Sequence, residues 1–185
     1  MIYLIDHQDS FTYNLAHLLQ KFDDVFISNY FKINHDILNK ASLVVFSPGP
    51  GEPRDYPESN FIYKKLKGKK KILGICLGFQ LILFNEKGKI IQQKKIYHGF
   101  QTKINVLKTT KIFKNHKNLI VGRYHSLKLQ EPYNSKEIKI TMRCSVTKAA
   151  MAIEDYKNKI FGLQFHPDSF LTHNGKEIIK KIISA

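Results

Sequence analysis

The chain has 185 residues, 43% of them hydrophobic, which excludes a disordered chain and predicts a single domain over residues 1–185. No apolar run approaches the roughly 20 residues that cross a bilayer, and the start of the chain lacks the basic leader of a signal peptide, so we expect no membrane association. The formal net charge of +15 comes from lysines scattered along the chain with few arginines, which argues against a nucleic-acid partner.

The first half of the chain alternates between strand-like and helix-like hydrophobic periods. Strands are predicted at 2–6, 25–29, 43–47 and 71–75. Helices are predicted at 10–21, 59–67 and 78–84. This order predicts a parallel sheet with right-handed crossovers and helices on both faces.

After Gly88 the pattern changes to short strand-like runs separated by turn residues. They lie at 89–91, 104–107, 119–124, 138–142, 151–155 and 160–164, before a last helix at 176–183. The predicted fold class is therefore α/β, with an open, mostly parallel sheet and a small antiparallel addition.

Two cysteines are too few for a secreted disulfide scaffold and predict free thiols in a reducing cytoplasm. Cys76 lies between Gly74 and Gly78 where a predicted strand turns into a helix, the spacing of a nucleophile elbow. The following helix N-terminus is expected to favour a thiolate. A core cysteine beside two packing glycines has the same pattern. Cys144 has no flanking glycine and is assigned no role.

Two further motifs follow predicted strands, at the sheet edge where α/β proteins bind ligands. Ser47-Pro48-Gly49-Pro50-Gly51 predicts a rigid loop that exposes backbone N–H groups, although an ordinary tight turn has the same composition. His166 ends the strand at 160–164, and Asp168 is close enough in sequence to reach its far ring nitrogen. A thiol, an imidazole and a carboxylate would make a nucleophile, a proton shuttle and an orienting group. His125 also ends a strand and could line the same pocket. No Cys/His cluster has zinc-ligand spacing, so we expect no metal or other cofactor.

These motifs occur in the order found in class I glutamine amidotransferases, which the chain resembles over nearly its whole length. The resemblance rests on the loop at 47–51, the elbow at 74–78 with Gln80, and the segments 123–127 and 162–169. The opening segment 4–15 is similar to the glutaminase subunits of anthranilate synthase and aminodeoxychorismate synthase. The resemblance implies a flavodoxin-like amidotransferase fold.

The resemblance also implies a reaction and a partner. Cys76 would attack the side-chain amide of glutamine, and His166 would protonate the departing ammonia and then activate water. Ammonia would pass to a chorismate-utilising synthase subunit, component I. The family's oxyanion and glutamine-binding positions fall here on Gly49, Pro50, Gly51, Leu77, Gln80, Ser126 and Leu127.

Several positions depart from the family pattern. Asp168 stands where the family usually has glutamate, and Phe79 where histidine is common. These changes predict a divergent and slower enzyme, and they leave open a catalytically weak or inactive partner-binding subunit. Another cysteine hydrolase, such as a peptidase or γ-glutamyl hydrolase, would share the elbow and the base but not the segments 4–15 and 123–127. The choice between tryptophan and folate synthesis stays open.

Overall fold

The computed structural model describes residues 1–185. The strands are β1 (Ile2–Asp6), β2 (Val25–Asn29), β3 (Leu43–Phe46), β4 (Lys71–Ile75), β5 (Ile90–Gln92), β6 (Phe100–Val106), β7 (Asn118–Arg123), β8 (Leu127–Leu129), β9 (Lys139–Cys144), β10 (Ala150–Asp155) and β11 (Ile160–Leu163). The helices are α1 (Thr12–Leu19), α2 (His35–Lys40), α3 (Pro57–Leu66), α4 (Leu77–Asn85) and α5 (Gly175–Ser184), with a 3-10 turn at Pro53–Asp55. No helix has the length and apolar content needed to span a membrane.

Nine strands form one sheet in the order β2-β1-β3-β4-β11-β10-β9-β6-β7. The five strands from β2 to β11 are parallel to one another, so their carboxyl ends share one edge. The loop after β3, the elbow after β4 and the residues after β11 all emerge at that edge. The topology therefore brings together segments that lie far apart in sequence.

The antiparallel strands β10, β9, β6 and β7 continue the same sheet, and β5 and β8 form a separate two-stranded ribbon. The predicted fold class is confirmed. The antiparallel part is larger than the sequence indicates, because four of its strands extend the main sheet.

Alternation along the strands gives the sheet two buried faces. In β1, Ile2 and Leu4 pack with apolar residues of α1 and α5, whereas Tyr3 and Ile5 pack with those of α3 and α4. Helix α4 is buried on nearly all sides, which agrees with its uniformly apolar sequence. Burying a leucine or isoleucine side chain stabilises the fold by roughly 1.5–3 kcal/mol. The two layers of helices thus hold the sheet edge that carries the elbow.

Two short elements were not among the predicted ones. Helix α2 begins at Asn34, whose side chain accepts the backbone N–H of Ile37, and Leu38 is its one buried residue. Strand β8 forms by pairing with β5, in the register Ile90 opposite Leu129. Both elements depend on local capping or on a distant partner, and neither has a long hydrophobic period.

Candidate active site

Cys76 lies at the N-cap of α4 in a strained backbone conformation, with φ 52° and ψ −98°. Such conformations cost of order 1–3 kcal/mol in a residue with a side chain and persist only where the surroundings enforce them. The backbone N–H of Cys76 donates to the carbonyl of Leu163 at 2.8 Å, and its carbonyl accepts the N–H of Gln80 at 3.1 Å. The sharp strand-to-helix turn that the sequence predicts is therefore present and held by β11 on one side and α4 on the other.

The two glycines of the elbow are required by close backbone packing. A Cβ atom at Gly74 would overlap the backbone of Gly78, and one at Gly78 would overlap the carbonyl of Phe46 in β3. The elbow is thus packed directly against the neighbouring strand. This contact explains the small-x-cysteine-x-small spacing.

The loop after β3 is fixed at both ends by hydrogen bonds. The Ser47 hydroxyl accepts the backbone N–H of His7 at 2.9 Å and donates to the carbonyl of Pro48 at 2.6 Å. The Tyr56 hydroxyl donates to the carbonyl of Pro50 at 2.8 Å. Gly51 adopts φ 70°, which glycine tolerates without steric cost. The loop is therefore rigid, as its composition predicts.

A cavity of about 280 Å³ opens beside Cys76. Its wall includes every position that the family resemblance assigns to the oxyanion or to glutamine, namely Gly49, Pro50, Gly51, Leu77, Gln80, Ser126 and Leu127. The rest of the wall is polar or aromatic and consists of Gln8, Asp9, Ser10, His98, Tyr124 and His125. The fold thus gathers the elbow, the loop and β8 around one space.

His166 follows β11 and lies behind the cavity wall, with 2% of its side chain exposed. Its backbone N–H donates to the carbonyl of Gly122 at 3.1 Å, and its carbonyl accepts the Thr172 hydroxyl at 2.6 Å. The imidazole packs against the rings of Phe11 and Tyr124, with centroids 4.9 and 5.0 Å away. Tyr124 also lines the cavity, so the ring that packs on the imidazole forms part of the cavity wall.

The hydrogen bond expected between Asp168 and His166 is not formed. Asp168 Oδ1 lies 3.9 Å from His166 Nδ1, beyond hydrogen-bonding distance. Neither ring nitrogen of His166 and neither carboxylate oxygen of Asp168 has a hydrogen-bond partner in the chain, although all four atoms are buried. A glutamate at this position would reach about 1.5 Å further than the aspartate.

Comparison with known proteins identifies the family. The family model for Glutamine amidotransferase class-I matches residues 3–185. Anthranilate synthase component 2 of Lactococcus lactis is 36% identical over 187 residues, covering 100% of this chain and 94% of that protein. Its counterpart in Cyanophora paradoxa is 39% identical over 189 residues, covering 100% of this chain and 98% of that protein.

The chain belongs to the class I glutamine amidotransferases. Among solved structures, a glutamine amidotransferase from Thermotoga maritima matches this amidotransferase with a TM-score of 0.71 at 19% identity. The match covers 97% of this chain and 84% of the other, and it shows a shared fold.

Electrostatics in the free amidotransferase keep the cysteine protonated. Burial raises the pKa of the Cys76 thiol to about 12, and the nearby carboxylates of Asp9 and Asp168 add to the effect. The Leu77 N–H and the Gln164 amide act in the opposite direction. The helix N-terminus thus favours the thiolate as expected, through the Leu77 N–H, but burial and two negative neighbours outweigh it.

The pKa values of His166, the proposed base, and of Asp168 are shifted in opposite directions. Burial lowers the pKa of His166 to about 4, so its imidazole is neutral at pH 7 and can accept a proton. Burial, together with the charge of Asp9, raises the pKa of Asp168 to about 7. Asp9 thus influences both ends of the site, although the sequence motifs assigned it no role. Its position just after β1 was the available signal.

A second buried cluster supports the wall formed by β8. Arg123 is fully buried, its Nε donates to His125 Nε2 at 3.0 Å, and its Nη1 contacts Cys144 Sγ at 3.5 Å. Because arginine can only donate, His125 must carry its proton on Nδ1, which then donates to the Leu127 carbonyl at 2.7 Å. His125 lines the cavity as anticipated, and it also positions β8. Cys144, which was assigned no role, belongs to this cluster.

Proposed function

We propose that this amidotransferase hydrolyses glutamine to glutamate and ammonia through a thioester on Cys76 and supplies the ammonia to a chorismate-aminating synthase subunit. The observation that carries the proposal is the cavity beside Cys76, whose wall contains all seven positions matched to the family's oxyanion and glutamine-binding sites. An elbow cysteine packed only for structural reasons would not require these three separate segments to converge.

In the proposed first step, Cys76 Sγ attacks the side-chain carbonyl carbon of glutamine while the thiol proton passes to the neutral imidazole of His166. The tetrahedral intermediate collapses when His166 returns that proton to the departing nitrogen, which releases ammonia and leaves a glutamyl thioester. Water, deprotonated by His166, then attacks the thioester and yields glutamate and the free thiol. The backbone N–H groups of Leu77 and Gly51 are proposed to stabilise the oxyanion.

The free chain is expected to perform this reaction slowly. With the thiol pKa at about 12 and the imidazole pKa at about 4, proton transfer from Cys76 to His166 is strongly uphill. Asp168, the proposed orienting group, does not bond the imidazole directly. We propose that association with the synthase subunit raises the rate, as the family resemblance implies.

The proposed partner follows from the relatives, which are named anthranilate synthase component 2. This name favours a component I that forms anthranilate over one that forms aminodeoxychorismate. We also treat residues 1–185 as one amidotransferase domain, since a single sheet runs through both halves of the sequence.

The test is replacement of Cys76 by serine in the complex with the synthase subunit. We expect Cys76→Ser to lower glutamine-dependent synthesis by at least about 10³-fold, because the hydroxyl is a far weaker nucleophile in this site. Ammonia-dependent synthesis should be retained. Cys144→Ser is the matched control and should stay within about threefold of the unmodified enzyme. Glutamine-dependent activity in Cys76→Ser would refute the proposal.

A catalytically weak partner-binding subunit is a second candidate, supported by the 3.9 Å gap between Asp168 and His166. Treating the complex with an alkylating glutamine analogue separates the two. An adduct on Cys76 supports the glutaminase, whereas no adduct in the presence of the partner supports the inactive subunit. Comparing glutamine with γ-glutamyl peptides as substrates separates a glutaminase from a γ-glutamyl hydrolase.

A further inference from the structure

Two buried amides link the wall of the cavity to the sulfur of Cys76. The Nε2 atom of Gln80 donates to Gln164 Oε1 at 3.2 Å and points to the Leu127 carbonyl at 3.5 Å. The Nε2 atom of Gln164 lies 3.8 Å from Cys76 Sγ, within the range of an N–H···S hydrogen bond. The side chain of Gln164 is fully buried. It lies just after β11, two residues before His166, and the course of this segment brings its amide to the sulfur.

The hydrogen-bond network fixes which way the Gln164 amide faces. The Leu127 carbonyl can only accept, so the NH₂ group of Gln80 points toward it and also donates to Gln164 Oε1, which leaves the NH₂ group of Gln164 facing Cys76. The opposite orientation would set two NH₂ groups against each other and turn an oxygen lone pair toward the sulfur. Gln80 thus acts on Cys76 through Gln164.

The remaining groups around Cys76 offer little support to a negative sulfur. The carboxylates of Asp9 and Asp168 oppose it, and the imidazole of His166 is neutral at pH 7. No lysine or arginine lines the cavity. Two groups assist the thiolate, the backbone N–H of Leu77 and the amide of Gln164.

We propose that Gln164 is a catalytic residue whose side-chain amide donates to Cys76 Sγ and stabilises the thiolate formed as the thiol loses its proton. The role rests on the proposed glutaminase function for its biological meaning. The physical claim concerns the sulfur alone. No other side chain donates a hydrogen bond to Cys76 Sγ, so the loss of this amide should not be compensated from elsewhere.

The test measures how fast Cys76 reacts with iodoacetamide in the full chain between pH 7 and 10, followed on the peptide that contains Cys76. A hydrogen bond to a charged group is strong enough that Gln164→Met should slow alkylation by about tenfold at each pH. Gln164→Glu keeps an acceptor for Gln80 but replaces the donor with a negative charge, so it should slow alkylation further. An alkylation rate within twofold of the unmodified chain in either folded variant would overturn the proposal.

Thr141→Val is the matched control, since Thr141 is equally buried but lies in β9 with no contact to Cys76. It should leave the alkylation rate unchanged. Thermal unfolding of each variant verifies the fold, and Gln164→Glu serves as the decisive variant if Gln164→Met fails to fold.

The outcome also separates this proposal from the proposed function. If the unmodified complex hydrolyses glutamine while both Gln164 variants alkylate at the normal rate, the role of Gln164 fails and the glutaminase stands. If the variants alkylate slowly but the unmodified complex releases no ammonia from glutamine, the glutaminase fails and the contact to sulfur stands.

Discussion

The regions around the two cysteines differ in how well their buried polar groups are paired. Around Cys144, Arg123 is fully buried, yet its donors face Cys144, His125 and Gln93, and its guanidinium lies 3.6 Å from the Tyr97 ring centroid. At the proposed active site, the backbone of Cys76 is strained and four buried polar atoms of His166 and Asp168 lack partners. The buried polar groups of the first region have partners and stabilise the fold. The second region keeps unfavourable contacts, as sites of chemistry commonly do.

This difference means that thiol acidity in the free chain does not point to the proposed nucleophile. Hydrogen bonds from Thr147 and the charge of Arg123 lower the pKa of Cys144 despite its burial, while that of Cys76 rises to about 12. A choice based on acidity would select Cys144, which is packed in the cluster around Arg123. The strained elbow and the cavity beside it favour Cys76 as the proposed nucleophile. In the proposed mechanism, proton removal from this thiol therefore takes place during the reaction itself.

The largest expected effect concerns the buried charge of Asp168. Its folded-state pKa of about 7 lies above the ordinary value of 3.8, so between these values the folded chain binds more protons than the unfolded chain. Stability is thus lost as pH rises through this window. Relative to the unmodified chain, Asp168→Asn should gain about 2 kcal/mol in free energy of unfolding between pH 5 and pH 8.

Urea denaturation at both pH values measures this change. The histidines with lowered pKa values are common to both proteins, so their contribution cancels in the comparison. An equal stability difference at pH 5 and pH 8 would show that the carboxylate is not held in an unfavourable environment.

The next effect concerns the 3.9 Å gap between Asp168 and His166. Asp168→Glu adds about 1.5 Å of reach and should allow a direct hydrogen bond to Nδ1, which would orient the imidazole. We expect kcat/KM for glutamine, measured in the complex, to rise by about tenfold, or about 1.4 kcal/mol. Asp168→Gln has the same length without the charge and should give no gain. A lower kcat/KM in Asp168→Glu would mean that the gap is not what limits the base.

The smallest effect concerns Thr141, whose hydroxyl is the remaining buried side-chain atom without a partner. Thr141 lies in β9, away from Cys76, so its unpaired hydroxyl has no part in the proposed reaction. Thr141→Val keeps the shape and removes the polar atom, and should change the free energy of unfolding by between zero and about +1 kcal/mol. Thermal or urea unfolding measures it, and a clear loss of stability would show that the hydroxyl has a role.

Much of the fold was predictable because it depends on local patterns. The alternation of strand and helix periods indicated the parallel part of the sheet, and the residues after β3 and β4 met because parallel strands end at one edge. The turn at Cys76 followed from the two glycines that backbone packing requires. The wall of the cavity was predictable only through the family resemblance, which implied the positions that line it.

Other features were not predictable because they depend on small distances and on burial. The spacing of His166 and Asp168 in sequence does not reveal whether the two side chains meet or stop 3.9 Å apart. The protonation of Cys76 depends on the two carboxylates that the fold places nearby. Strand β8 exists only through its pairing with β5. The contact between Gln164 and Cys76 likewise required the course of β11 beside β4.

Because Gly78 packs closely on the Phe46 carbonyl, the position of the Cys76 sulfur depends on strand β3. At Gly78 the bend that carries the sulfur has no side chain, so its backbone packs directly on the main chain of β3, a central strand. Loosening the bend means separating it from that strand, which lies between two others in the middle of the parallel layer. The bend at Cys76 is therefore expected to be as stable as the middle of the sheet on which it packs.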